Sequence, residues 1–297
     1  MKNNLTLLSA TFFIFLNIGN AQETKQKDSI KEGWCTEGKL SFLFNQAAFS
    51  NWVAGGENSF SGTILGNYEF DYSKGNWSWD NKITAAYGLT KTEGSDFVKK
   101  TDDRIEYNSV LGKKASKNWY YSAFLNFKTQ FAKGYRFEKD PITEEEIRIE
   151  ETNFLSPAYL QFGPGVLWKK SKNLKINIAP ATTRLIFVDK KFTLGLPDGA
   201  YFGVDEGKST RVEFGTSLSV YYKFTLVENV TFEHILNLYT DYLEEPKNVD
   251  MDYQLNVVMS INKFLSANIA FQAIYDDNAI ARLQARESFG LGVNYIF

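Results

Sequence analysis

A single cysteine and a single histidine serve all 297 residues, and these scarcities remove whole classes of chemistry. Cys35 alone permits no internal disulfide framework and no Cys-based zinc site. His234 is the only imidazole available for acid–base work. Net charge is just -2 with no basic patch, so nucleic acid is not an expected partner. Past residue 21 no apolar run approaches the length of a transmembrane helix. No Asp-x-Asp-x-Asp-Gly loop occurs, so neither metal nor cofactor is assigned. Gly163 and Gly165 flank Pro164 with no helix after them. They read as a kink or bulge in a strand and not as a nucleotide loop.

Aromatic residues are what the chain has in plenty, at 16% with 25 Phe and 16 Tyr. Spread through a polar sequence, they suit strands with one apolar and one wet face. A soluble β-sandwich shares that alternation, so length and regularity have to decide. Residues 60–72 place Phe60, Ile64, Tyr68, Phe70 and Tyr72 on one face and Thr63, Asn67, Glu69 and Asp71 on the other. Twelve such segments are expected: 38–48, 60–72, 77–89, 104–115, 119–131, 159–168, 174–183, 211–224, 230–242, 251–261, 265–275 and 284–297. Most reach the ten or so residues a tilted strand needs to cross a bilayer. Their connections alternate. SKGN, KKASKN, KKSKN, VEN and NKF are short, and the intervening ones are long, up to 132–158. A sandwich has no reason to keep that odd–even rule, whereas a membrane barrel needs turns on one side and loops on the other. Trp77, Trp79, Trp119, Tyr121 and Trp168 gather beside the short turns, as an interfacial aromatic girdle would.

Lys2, the apolar residues 5–18 and the small residues Gly19-Asn20-Ala21 read as a secretory signal peptide over 1–21. A polar periplasmic leader is expected over 22–37 and the barrel over 38–297. The last ten residues, SFGLGVNYIF, put Phe289, Leu291, Val293, Tyr295 and Phe297 on one face. This segment resembles the closing strand of bacterial outer-membrane β-barrels, including their terminal assembly signal. The resemblance implies the outer membrane of a Gram-negative bacterium. It also implies an all-β, antiparallel up-and-down barrel of about 12 strands. Its partners would be outer-membrane lipid and lipopolysaccharide, with the barrel-assembly machinery engaged through the C-terminal strand and a protein partner met at the outer loops. The stretch NQAAFSNWVAGGENSFSG, with Asn51-Trp52 and Gly55-Gly56, is similar to a Bacteroidota outer-membrane family known as domain of unknown function 3078. That family implies a signal-directed barrel and no reaction. Gly55 and Gly56 permit a backbone reversal, and Trp52 is expected to pack the loop at the barrel mouth.

Inward-facing charge is the candidate functional feature. Glu69, Lys82, Arg104, Glu106, Lys128, Arg211 and Glu213 interleave both signs, and Lys82 lies between Glu69 and the Arg104–Glu106 pair on neighbouring strands. Such groups either pair and fill a lumen or ring a narrow water path. His234 shares parity with Phe232 and Leu236, faces outward near the VEN turn, and has no serine motif beside it. It reads as an interfacial residue, and no enzyme is expected. The functions in play are porin-like passage of small solutes or a structural scaffold. Behind them stand an accessory barrel subunit of a secretion or nutrient-uptake complex and, last, an outer-membrane lipid hydrolase.

Overall fold

A computed structural model describes residues 32–50, 56–196, 200–279 and 282–297. In chain order its strands are β1 (Gly33–Ala47), β2 (Ser59–Lys74), β3 (Trp77–Thr92), β4 (Lys99–Lys114), β5 (Trp119–Thr129), β6 (Gly134–Lys139), β7 (Glu146–Thr152), β8 (Ala158–Ser171), β9 (Leu174–Phe187), β10 (Ala200–Tyr201), β11 (Val204–Asp205), β12 (Thr210–Val227), β13 (Val230–Asp241), β14 (Asp250–Ser260), β15 (Leu265–Tyr275) and β16 (Gln284–Ile296). Twelve of them form one closed antiparallel barrel in the order β1-β16-β15-β14-β13-β12-β9-β8-β5-β4-β3-β2. The other four make two small hairpins, β6–β7 and β10–β11, within the long connections.

Local chemistry explains the turns. Gly75 and Asn229 adopt positive φ in the β2–β3 and β12–β13 reversals, where glycine and asparagine meet least resistance. The Gly163-Pro164-Gly165 segment is an irregularity in the β8–β9 register between Phe162 and Val166. Side chains would not fit there, since a Cβ on Gly163 or Gly165 would lie 2.4 Å from the carbonyl oxygens of Ala181 and Ile178 respectively.

The strand β1 starts at Gly33, five residues before the expected boundary at 38. Polar neighbours hid this edge. Trp34 nonetheless belongs to the sheet, with its ring 5.2 Å from that of Tyr72 and 5.8 Å from that of Trp79. The ring closes where β1 meets β16 in register, with Leu40 opposite Tyr295 and Phe42 opposite Val293.

The distribution of polarity inverts that of a water-soluble protein. Outward residues are large, apolar and exposed, among them Phe60 and Ile64 at 54% and Tyr295 at 63%. Inward positions are polar and buried, including Ser41, Glu106, Asn177, Glu213, Gln254 and Asn294. Among the described residues a conventional apolar cluster forms at the loop end, where Ile186, Val188 and Val204 pack with Tyr159, Tyr201 and Phe202.

Candidate functional site

Strand parity sends the expected charged residues inward, but their partners do not follow the wall as the sequence suggested. Lys82 does meet Glu69, its register neighbour on β2, at 3.4 Å. Its closer partner is Glu233 at 3.2 Å, on β13. In the ring of twelve, β3 and β13 stand six steps apart in either direction, so this ion pair spans the full lumen. Tyr221 and Asn256 each donate to Glu233 at 3.0 Å and hold it in place. The expected link from Lys82 to the Arg104–Glu106 pair is not formed. Arg104 instead reaches Gln254 on β14 at 3.0 Å, again six strands away. Glu106 stays at the wall and accepts from Asn108 and Asn126.

Further bars lie above and below. Lys128 on β5 meets Asp252 on β14 at 2.5 Å, and Gln272 donates to the same carboxylate at 2.9 Å. Nearer the turn end Asp80 receives Lys169 and Lys175, each at 2.7 Å, from β8 and β9. At the loop end Arg184 binds Glu213 and, at 2.5 Å, Asp250. Arg211 braces Glu213 from the other side at 2.8 Å. Glu213 is fully buried between these two guanidiniums. A carboxylate so placed is tolerable only while its cations remain.

All seven charged candidates thus face the lumen, but they do not form one network. Reasoning from sequence missed Arg184, Lys169 and Lys175. Arg184 fell one residue past the expected end of its strand, and Lys169 sat in the KKSKN stretch read as a turn. Parity with the inward-facing Asn177 was the available signal for Lys175. Glu233 and Asp252 were legible as inward residues, though not as partners across the bore.

Around the bars runs a cavity of about 540 Å³. Its lining extends from Glu37, Lys172 and Lys223 at the turn end to Tyr239, Asp250 and Asp276 at the loop end. The bore is therefore neither a solid core nor an open pore. Charged side chains cross the lumen at several heights.

Of the loop motif, Asn51, Trp52 and Gly55 lie outside the described residues. Gly56 has φ +144°, and a Cβ there would come within 2.9 Å of the Phe49 ring. His234 sits on the outer wall, hydrogen-bonded to the Tyr253 hydroxyl at 2.9 Å and stacked near Tyr222, Phe224 and Phe232.

A family model described as protein of unknown function (DUF3078) matches residues 44–135, a span that includes the Asn51-Trp52 motif and strands β2 to β5. No curated protein matches the chain. Among solved structures it is similar to the translocator domain of autotransporter NalP from Neisseria meningitidis, at 11% identity and TM-score 0.43, covering 91% of this chain and 90% of that one. It is also similar to an outer membrane channel from Pseudomonas putida F1, at 8% identity and TM-score 0.40, covering 93% and 99%. A third is the outer membrane channel DcaP of Acinetobacter baumannii, at 10% identity and TM-score 0.29, covering 89% and 96%.

Proposed function

We propose that this chain resides in the outer membrane of a Gram-negative bacterium of the Bacteroidota as a narrow-bore channel that its own luminal ion pairs hold shut. The membrane part of this reading is supported by the inverted polarity of the wall. A closed sheet leaves no unpaired edge, which hydrocarbon requires, and the exposed apolar belt has no other solvent to match it. Export rests on the signal-like residues 1–21. The family resemblance supports the taxon.

The single observation that carries the channel reading is that bars reach from wall to wall beside an unfilled cavity of about 540 Å³ inside the barrel. A scaffold needs no such space, since apolar side chains would fill it without desolvating charge. A permanently open porin would not tether its inward charges to the opposite wall. Small polar solutes and ions pass only when bars part.

The test is planar-bilayer conductance of purified wild type and of a variant carrying Lys82→Ala, Arg104→Ala and Lys128→Ala. Wild type is expected to give rare or no steps, and the variant steady ones. Large, steady wild-type steps would make the protein an open porin. A folded variant that stays silent would make the barrel a scaffold or a partner's subunit. Either result overturns the proposal.

A further inference from the structure

The loop end of the barrel carries a second constellation, which shares Asp250 with the Arg184 bar. Asp250 opens β14, and Asp276 and Asp277 follow β15. One carboxylate oxygen from each lies within 4.8 Å of the other two. Beside them is a cavity of about 210 Å³, lined in part by Tyr239, Asn248, Asp250 and Asp277. Like charges this close repel unless a proton or a cation stands among them. Arg184 hydrogen-bonds Asp250, through Oδ2 at 2.5 Å, and it is shared with buried Glu213. Asp277 has Asn248 as its hydrogen-bond donor at 2.7 Å. Both hydrogen bonds to Asp276 fall on Oδ1, from the backbone of Asn278 and Ala279, and leave Oδ2 to the cluster.

An independent observation comes from Tyr239. It faces Asp250 directly across the β13–β14 ladder and lines the same cavity. The residue is only 4% exposed, yet its hydroxyl finds no hydrogen-bond partner. Buried hydroxyls in folded proteins almost always have one, and an orphan beside a carboxylate cluster points to a missing third party. A proton shared by the acids would relieve their repulsion but would not reach the phenol. A hydrated cation does both, because its oxygen shell accepts and donates in several directions.

We infer that Asp250, Asp276 and Asp277 bind a calcium ion at the loop end, with the Tyr239 hydroxyl bonded to the ion or to one of its waters. The donors are all hard oxygens, which suit Ca²⁺ or Mg²⁺ over transition metals. Calcium fits better, because it accepts an irregular shell of six to eight oxygens, whereas magnesium demands a compact octahedron. The site also ties β14 to the β15–β16 connection, and so fixes one side of the mouth.

Calorimetric titration of CaCl₂ into chelator-stripped protein, folded in detergent micelles, tests this independently of any conductance. One ion per chain is expected. Binding should weaken at least tenfold in Asp276→Asn/Asp277→Asn and several-fold in Tyr239→Phe, with MgCl₂ weaker than CaCl₂ throughout. Heat-modifiability on gels reports whether each variant is folded. Asp277→Asn alone, which keeps the Asp276 turn, carries the test if the double variant is not. Absence of calcium binding by wild type, or equal binding by folded carboxylate variants, overturns the inference.

Discussion

At the scale of single residues, the seam shows most plainly how one side chain depends on another's absence. Phe297 exchanges two backbone hydrogen bonds with Gly38, at 2.8 and 2.9 Å, and its ring lies over that glycine. A Cβ at position 38 would stand 2.3 Å from the ring. Tyr68 and Tyr295 stack beside Phe297, at 6.3 and 5.7 Å between centroids. Gly38→Val should therefore displace the terminal ring and destabilise the barrel by about 1–3 kcal/mol, the usual range for overpacking. Urea unfolding in lipid vesicles measures it, and an unchanged midpoint would mean the ring contributes nothing to closure. The strand over 284–297 was legible in the sequence, because Phe289, Leu291, Val293 and Tyr295 alternate onto one face. The contact of Phe297 with Gly38 was not, since residues at opposite ends of the chain meet only through closure. Arg184 shows a different blindness. One residue beyond an expected strand end, it read as loop, and nothing local marks it as the cation that keeps Glu213 company.

At the scale of elements, all twelve expected strands are present with small boundary shifts, because a two-residue rhythm between short turns is a local signal. The β6–β7 hairpin was missed. Its charged stretch fell inside the long connection expected over 132–158, although Ile147 and Ile149 alternate with Arg148 and Glu150 in strand fashion. Electrostatics hold this hairpin to its neighbours. Lys99 meets Glu146 at 2.5 Å, with Ser95 donating at 2.7 Å, while Lys191 and Lys133 meet Glu150 at 2.7 and 3.0 Å. Lys99 and then Ser95 hold the Glu146 carboxyl below the usual carboxylate range. Lys191 and then Lys133 do the same for Glu150. A carboxylate with a lowered folded value contributes in full above its unfolded value of about 4.3 and loses that contribution as pH falls through the folded one. Hydrogen exchange over 134–152 should accordingly quicken between pH 7 and pH 3, after correction for intrinsic rates, while β3 and β13 keep their protection. Equal protection of the hairpin at both values would show that packing holds it instead.

At the scale of the whole molecule, closing the sheet creates an exposed apolar face and an inward-facing charged one, and it decides which charges can meet. Parity told which side chains turn inward, so the seven charged candidates were legible as a luminal set. Whether they line a path or block it was not, because a partner across the diameter is fixed by strand number and register summed around the ring. Lys82 and Glu233, six strands apart, are the clearest case. Their pairing is most directly tested by exchanging charges. Lys82→Glu and Glu233→Lys, alone and together, would be followed by urea unfolding in vesicles. Each single reversal should destabilise the barrel, the first more strongly because Glu69 lies beside it, and the double should recover much of the loss, with a coupling of about 1 kcal/mol or more. Strictly additive losses would mean that the two side chains never meet, and that the bore is not barred from wall to wall.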